Sequence, residues 1–267
     1  MVDIAEILIN SLEVIRSTSH FIQSHIDKVS SEDIEEKDLN SLVSYVDKEA
    51  ENILVEGLNK LIPNAGFVTE EDTIDSVDKE YTWIIDPLDG TTNFLNKVPH
   101  FAISVALQKN NATILGVVKE VNSGEEWTAI KDKGAFLNDN KISVSTKPFH
   151  AILVATGFPY SNDHDYDSYF GIMKHWLTHT RGIRRMGSAA LDLCYVACGR
   201  FGAYYEATLN AWDVAAGALI VTEAGGKVSD FSGGEKYLYG KEILAASPQV
   251  YAEVSDVIQT NLRIKID

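Results

Sequence analysis

Apolar residues recur at Ile4, Leu8, Leu12, Ile15, Ile22 and Ile26, a helical spacing that predicts an amphipathic helix over residues 3–27. Residues 28–40 are mostly polar and charged and read as a loop. A second helical pattern runs from about Asp47 to Leu61, closed by Pro63. Phe67-Val68 predicts a short strand leading into Glu70-Glu71-Asp72, followed by a mostly polar connection over 73–80. The apolar run Trp83-Ile84-Ile85 predicts a buried strand. Pro87 cannot donate to a sheet ladder, so the strand is expected to stop there. Residues 101–108 and 112–120, joined by Lys109-Asn110-Asn111, predict a hairpin. Short strands at 126–130 and 134–137 extend an antiparallel sheet, with a turn at Asn138-Asp139-Asn140.

The second half alternates. A strand at 152–156 precedes a helix over 166–177; Ser188 caps a helix reaching Cys198; a strand at 203–206 precedes a helix over 213–223, which Gly225-Gly226 ends. A strand at 243–246 and an amphipathic helix from Pro248 finish the chain. Strands first, then strand–helix alternation, imply helices layered on sheets. A soft boundary near Lys147-Pro148 divides the chain into an N-terminal α+β half, 1–147, and a C-terminal α/β half, 148–267, within one compact unit.

Composition narrows the partners. The 267 residues are 45% apolar and carry a formal charge of −16. Nucleic acids and anionic membranes need Lys/Arg patches, so neither is expected as a partner. Phosphorylated substrates stay compatible if cations supply local positive charge. The acidic start, Met1-Val2-Asp3-Ile4-Ala5-Glu6, is unlike a secretory signal, and no apolar run is long enough to span a membrane. Two cysteines, Cys194 and Cys198, read as core residues suited to a reducing compartment. A cytoplasmic location is expected.

The chemistry concentrates in Asp86-Pro87-Leu88-Asp89-Gly90-Thr91-Thr92. Alone it is a string of turn formers. At the end of a buried strand, however, it sets two carboxylates three residues apart beside backbone N–H groups that can face an anion. Hard divalent cations take oxygen ligands, and Mg²⁺ is commonly shared between carboxylates and substrate phosphate. Glu70-Glu71 alone is an ordinary acidic pair, and Asp47 and Asp213 each have a capping role available at a helix start. Other patterns fail: Asp163-x-Asp165-x-Asp167 lacks the later glycine and glutamate of a calcium loop, His175 and His179 lack the glutamate of a zinc protease helix, and no G-K-[ST] follows Ser232-Gly233-Gly234.

As a set, Glu70-Glu71, residues 83–94, Trp212-Asp213-Val214-Ala215-Ala216-Gly217 and Glu223-Ala224-Gly225-Gly226 resemble the inositol monophosphatase family. Leu42-Val43-Ser44-x-x-Asp47 resembles its earlier element, with Ser44 where threonine is common, and residues 184–191 its substrate-side loop and helix. The resemblance implies a five-layer α/β/α/β/α sandwich of the inositol monophosphatase/fructose bisphosphatase type, a homodimer, and Li⁺-sensitive hydrolysis of a phosphate monoester with two to three Mg²⁺ ions. By residue, it implies that Glu70, Asp86 and the Leu88 carbonyl hold the metal that activates water. Asp86, Asp89 and Asp213 would hold a second, and Glu70 would contact a third. Thr91 and Asp47 would orient the water, and the Gly90 and Thr91 N–H groups would grip phosphate. Ser188, Ala189, Glu206 and Asp213 would face a polyol, with Arg184 as a possible anion contact. The expected substrate is myo-inositol 1-phosphate. Fructose 1,6-bisphosphate, a 3′-phosphoadenosine 5′-phosphate-type nucleotide, or a non-catalytic role in binding phosphate ligands or metal are the alternatives.

Overall fold

A computed structural model describes residues 2–29, 34–38, 41–71, 79–159 and 165–262. Helix α1 (Ile4–Gln23) and helix α2 (Tyr45–Leu61) are separated by an antiparallel ribbon, β1 (Ile34–Asp38) and β2 (Ser41–Ser44). The loop expected over 28–40 is therefore corrected where it is described: 34–38 form a strand, while 30–33 and 39–40 lie outside the described residues. Ile34-Glu35-Glu36-Lys37-Asp38 has a single apolar residue, so no alternation announces it; backbone pairing with 41–44 makes the strand.

A seven-stranded sheet follows in the order β3-β4-β5-β6-β7-β8-β9. Its strands are β3 (Gly66–Thr69), β4 (Tyr81–Asp89), β5 (Ala102–Lys109), β6 (Ala112–Glu120), β7 (Glu126–Ile130), β8 (Gly134–Leu137) and β9 (Asn140–Lys141). Only β3 and β4 pair in parallel. Between β4 and β5 lies the short helix α3 (Thr91–Leu95). The expected stop at Pro87 is overturned, because β4 runs on to Asp89. Opposite β5, Asp86 pairs with Ser104 and Asp89 with Ala102, so three steps on β4 meet two on β5. The resulting bulge absorbs the proline that a regular ladder could not. The polar connection expected over 73–80 lies outside the described residues from 72 to 78.

A five-stranded sheet, order β11-β10-β12-β14-β13, contains β10 (Leu153–Thr156), β11 (Gly182–Arg184), β12 (Ala203–Ala207), β13 (Lys227–Ser229) and β14 (Glu242–Ala246). Helices α4 (Tyr166–His179), α5 (Ala189–Ala197), α6 (Ala211–Glu223) and α7 (Tyr251–Leu262) complete the described chain.

The unbroken apolar runs reflect strands buried on both faces. In β4, Trp83 and Ile85 pack with α1 and α2, while Ile84 faces α5 and α6. In β12 and β14, Tyr204, Ile243 and Ala245 face the same central helices, while Tyr205, Leu244 and Ala246 pack with α4 and α7. The order is thus helix, sheet, helix, sheet, helix: the five-layer α/β sandwich expected from the sequence. The central layer lies close to the first sheet because β5 and β6 present Ala102, Ala106 and Gly116 to it. A Cβ on Gly116 would stand 2.8 Å from the Ala216 carbonyl oxygen. This contact seats α6, and with it Asp213, above the sheet.

Candidate metal and phosphate centre

The parallel pairing of β3 with β4 starts the site. Thr69 pairs with Ile85, so the next residue of each strand brings Glu70 beside Asp86. Glu71 N–H donates to Glu51 Oε2 of α2 at 2.8 Å, which ties this turn down. Within the bulge, Asp86 Oδ1 accepts from Leu88 N–H at 2.9 Å. Gly90 then turns with φ of 97°, a conformation that disfavours a side chain. A Cβ there would also meet the His100 and Gly187 carbonyls at 3.1 and 3.2 Å.

Two helices deliver further carboxylates in the same way, and both correct the expectation that Asp47 and Asp213 open their helices. The α2 cap is Ser44, and Asp47 is the third helical residue; its Oδ2 accepts from Ser44 N–H at 2.8 Å and Ser44 Oγ at 2.7 Å. The α6 cap is Asn210, whose N–H donates to Asp213 Oδ2 at 2.6 Å. This capping-box geometry points each aspartate back across the helix start and towards the end of β4. Asp47 Oδ1 accepts from Thr91 Oγ1 at 3.0 Å, and the same hydroxyl lies 3.0 Å from Leu88 O.

Asp86, Asp89 and Asp213 each present an oxygen within 4.8 Å of the others. Burial pushes the Asp86 carboxyl well up, reinforced by Glu70, Asp89 and Asp213. Asp213 is raised by burial and by the charges of Asp89 and Glu70, against the Asn210 hydrogen bond. Burial lifts Asp89 to about 6, opposed by hydrogen bonds from Ser188 and Ala190. Buried like charges of this kind are costly without a counter-charge. An all-oxygen donor set fits a hard divalent cation such as Mg²⁺, so Asp86, Asp89 and Asp213 could hold one, with Glu70 alongside.

On the other side, Asp89 Oδ2 accepts from Ser188 Oγ at 2.6 Å and from Ala190 N–H at 2.7 Å. The start of α5, expected to face substrate, thus holds Asp89. Glu206, next to last in β12, has Oε2 accepting from Tyr204 Oη at 2.7 Å, and its carboxylate packs on Gly157, where a Cβ would lie 1.9 Å away. Burial lifts Glu206 to about 7, while Tyr204 and Arg185 pull it down. Arg184, the expected anion contact, is exposed, and its Nη1 donates to Ile183 O at 2.9 Å. Its neighbour Arg185 is the cation whose charge reaches Asp89, Asp192 and Glu206. The sequence reading missed Arg185, which follows the end of β11 and is itself exposed. It also missed Asp192, 1% exposed, and Tyr204, neither of which belongs to a motif. Asn93 is a further joint: its Nδ2 donates to His100 O and Met186 O at 2.8 and 2.9 Å, linking α3 to the segment before α5.

The inositol monophosphatase family model matches residues 3–261. The chain belongs to the inositol monophosphatase family. It is 43% identical to an inositol-1-monophosphatase of Rhizobium meliloti over 219 residues, 81% of this chain and 82% of that one. It is 41% identical to a Nus factor SuhB of Pasteurella multocida over 225 residues, 84% of each chain. Among solved structures, the IMPase of Thermotoga maritima superposes with a TM-score of 0.87 at 32% identity, covering 96% of this chain and 98% of that one. The family is metal-dependent, which agrees with the acidic cluster here. Among the described residues no helix is long and apolar enough to cross a membrane.

Proposed function

We propose that the chain is a Mg²⁺-dependent phosphomonoesterase that hydrolyses a phosphorylated polyol, with myo-inositol 1-phosphate as the leading substrate. The observation that carries this reading is the convergence of Asp86, Asp89 and Asp213 within 4.8 Å, next to the Thr91–Asp47 hydrogen bond. Bound divalent cations would neutralise the phosphate, lower the pKa of water and stabilise the leaving oxygen. Glu70, Asp86 and the Leu88 carbonyl would hold one ion, and Asp86, Asp89 and Asp213 a second. Thr91 Oγ1, donating towards Asp47, keeps lone pairs that can accept a hydrogen bond from the attacking water and so fix its direction. The Gly90 and Thr91 N–H groups border the phosphate position.

In this reading metal-activated water is the nucleophile and no phosphoenzyme forms. Glu206 keeps one oxygen for substrate hydroxyls while Tyr204 holds the other. Asp213 serves both metal and polyol. The same reading carries Li⁺ inhibition, a homodimer and a cytoplasmic location. The test is phosphate release from inositol 1-phosphate, fructose 1,6-bisphosphate, 3′-phosphoadenosine 5′-phosphate and an aryl phosphate, each with and without Mg²⁺; the highest kcat/KM is expected for inositol 1-phosphate. Absence of turnover across that panel would favour a second reading, a non-catalytic role on this scaffold in binding phosphate ligands or metal.

A further inference from the structure

The chain holds 39 acidic and 23 basic residues. Against that balance, one cavity of about 460 Å³ is lined by Lys147, Arg181 and Arg200, with no aspartate or glutamate on its wall. It lies at the start of β10, where Arg181 N–H donates to Ile152 O and Gly202 N–H to Leu153 O. Gly157, against which Glu206 packs, follows the other end of that strand. The cavity is therefore separate from the acidic cluster.

Arg200 is fixed in place. Its Nη1 donates to Glu125 Oε2 at 2.7 Å, and its guanidinium lies over the rings of Tyr195 and Trp127 at 4.7 and 5.7 Å. Glu125 balances that charge. Lys147 and Arg181 have no acidic partner within ion-pair distance among the described residues. Ser145, 8% exposed, adds a hydroxyl that accepts from Lys147 N–H and keeps its proton to donate. Two unbalanced cations and a hydroxyl donor around one hollow match the needs of a compact, multiply charged anion. A nucleic acid or membrane would need a broad basic face, which a chain of −16 opposes at long range. The volume suits a small ligand.

We propose that this cavity is a second anion site, taking a small phosphate-bearing ligand on Lys147, Arg181 and Ser145 with Arg200 as its rigid rim. The shared chemistry is a phosphate dianion, whether inorganic phosphate or a phosphate monoester. The test is equilibrium dialysis of the full Mg²⁺-loaded chain with radiolabelled inorganic phosphate. Wild type is expected to bind two per chain. The double variant K147A/R181A, altered at two exposed positions, is expected to bind one, with its Mg²⁺-dependent phosphatase activity unchanged. Either single variant should weaken the second site on the order of ten- to a hundredfold, as loss of a charged hydrogen bond does. Displacement by 2-hydroxyethylphosphonate at lower concentration than by unlabelled phosphate assigns the site to an organic ester; the reverse order assigns it to inorganic phosphate. A stoichiometry that does not fall by one phosphate per chain in K147A/R181A overturns the proposal.

Discussion

Asp89→Asn isolates the electrostatic cost of the metal-free centre. The hydrogen bonds to Asp89 from Ser188 Oγ and Ala190 N–H end on the same oxygen, Oδ2. An asparagine that places its carbonyl oxygen there keeps both, and turns its NH₂ towards Asp86 and Asp213. Burial raises Asp89 from 3.8 to about 6. At 1.36 kcal/mol per pKa unit, that rise is worth about 3 kcal/mol. Its sign follows from proton binding: the folded state holds the proton more tightly than the unfolded chain. The stabilisation is present below pH 3.8 and is lost as pH rises through about 6. In chelator, wild type should therefore be destabilised by about 3 kcal/mol between pH 4 and 7.5 relative to the variant. At about 2–4 °C per kcal/mol for a chain of this size, the variant should melt about 6–12 °C higher at pH 7.5, with the gap closing towards pH 4. Mg²⁺ at a hundred times its Kd adds about 2.7 kcal/mol to wild type, and less to the variant. The assay is thermal unfolding by circular dichroism across that pH range. A variant of native spectrum that melts no higher than wild type at pH 7.5, or a gap that does not shrink on acidification, refutes the reasoning.

Three further outcomes are expected. Thr91→Ala removes the hydroxyl shared by Asp47 and Leu88 and should lower kcat on the order of a hundredfold; isothermal titration of Mg²⁺ should show affinity within about threefold, by the same positional argument. Glu206→Gln should cut kcat/KM for inositol 1-phosphate roughly ten- to a hundredfold while sparing an aryl phosphate, in proportion to a lost hydrogen bond of about 1–3 kcal/mol; equal losses on both esters would move Glu206 to a structural role. Tyr204→Phe removes a hydrogen bond that holds the Glu206 carboxyl down, so its pKa should rise above about 7; the rise in KM for inositol 1-phosphate should then be larger at pH 6.5 than at pH 8.5, and a pH-independent change would contradict the assignment.

Much of the fold could be read from periodicity because the long strands are buried on both faces. Trp83-Ile84-Ile85 serves two cores at once, and its apolar run announces this. The strands β9, β11 and β13 have two or three residues each, too few to show a period. Pro87 misled because a bulge removes the ladder position that proline could not fill. Asp47 and Asp213 were legible as residues at helix starts but not as the third residue of a capping box, although Ser44-x-x-Asp47 carries that pattern. The substrate side was harder. Tyr204 lies two residues before Glu206, and a two-residue spacing in a strand fits simple packing as well as a hydrogen bond. Arg185 precedes α5 and Asp192 lies within it, and tertiary packing with no local signature brings both near Asp89 and Glu206.

The most direct test of metal-dependent hydrolysis at the acidic cluster is phosphate release from myo-inositol 1-phosphate by the pure chain, run with Mg²⁺ and with chelator for wild type and Asp86→Asn. Release is expected from wild type only with Mg²⁺, and none from a folded Asp86→Asn protein under either condition. Release that persists in chelator, or near-normal turnover by Asp86→Asn with Mg²⁺, would contradict it.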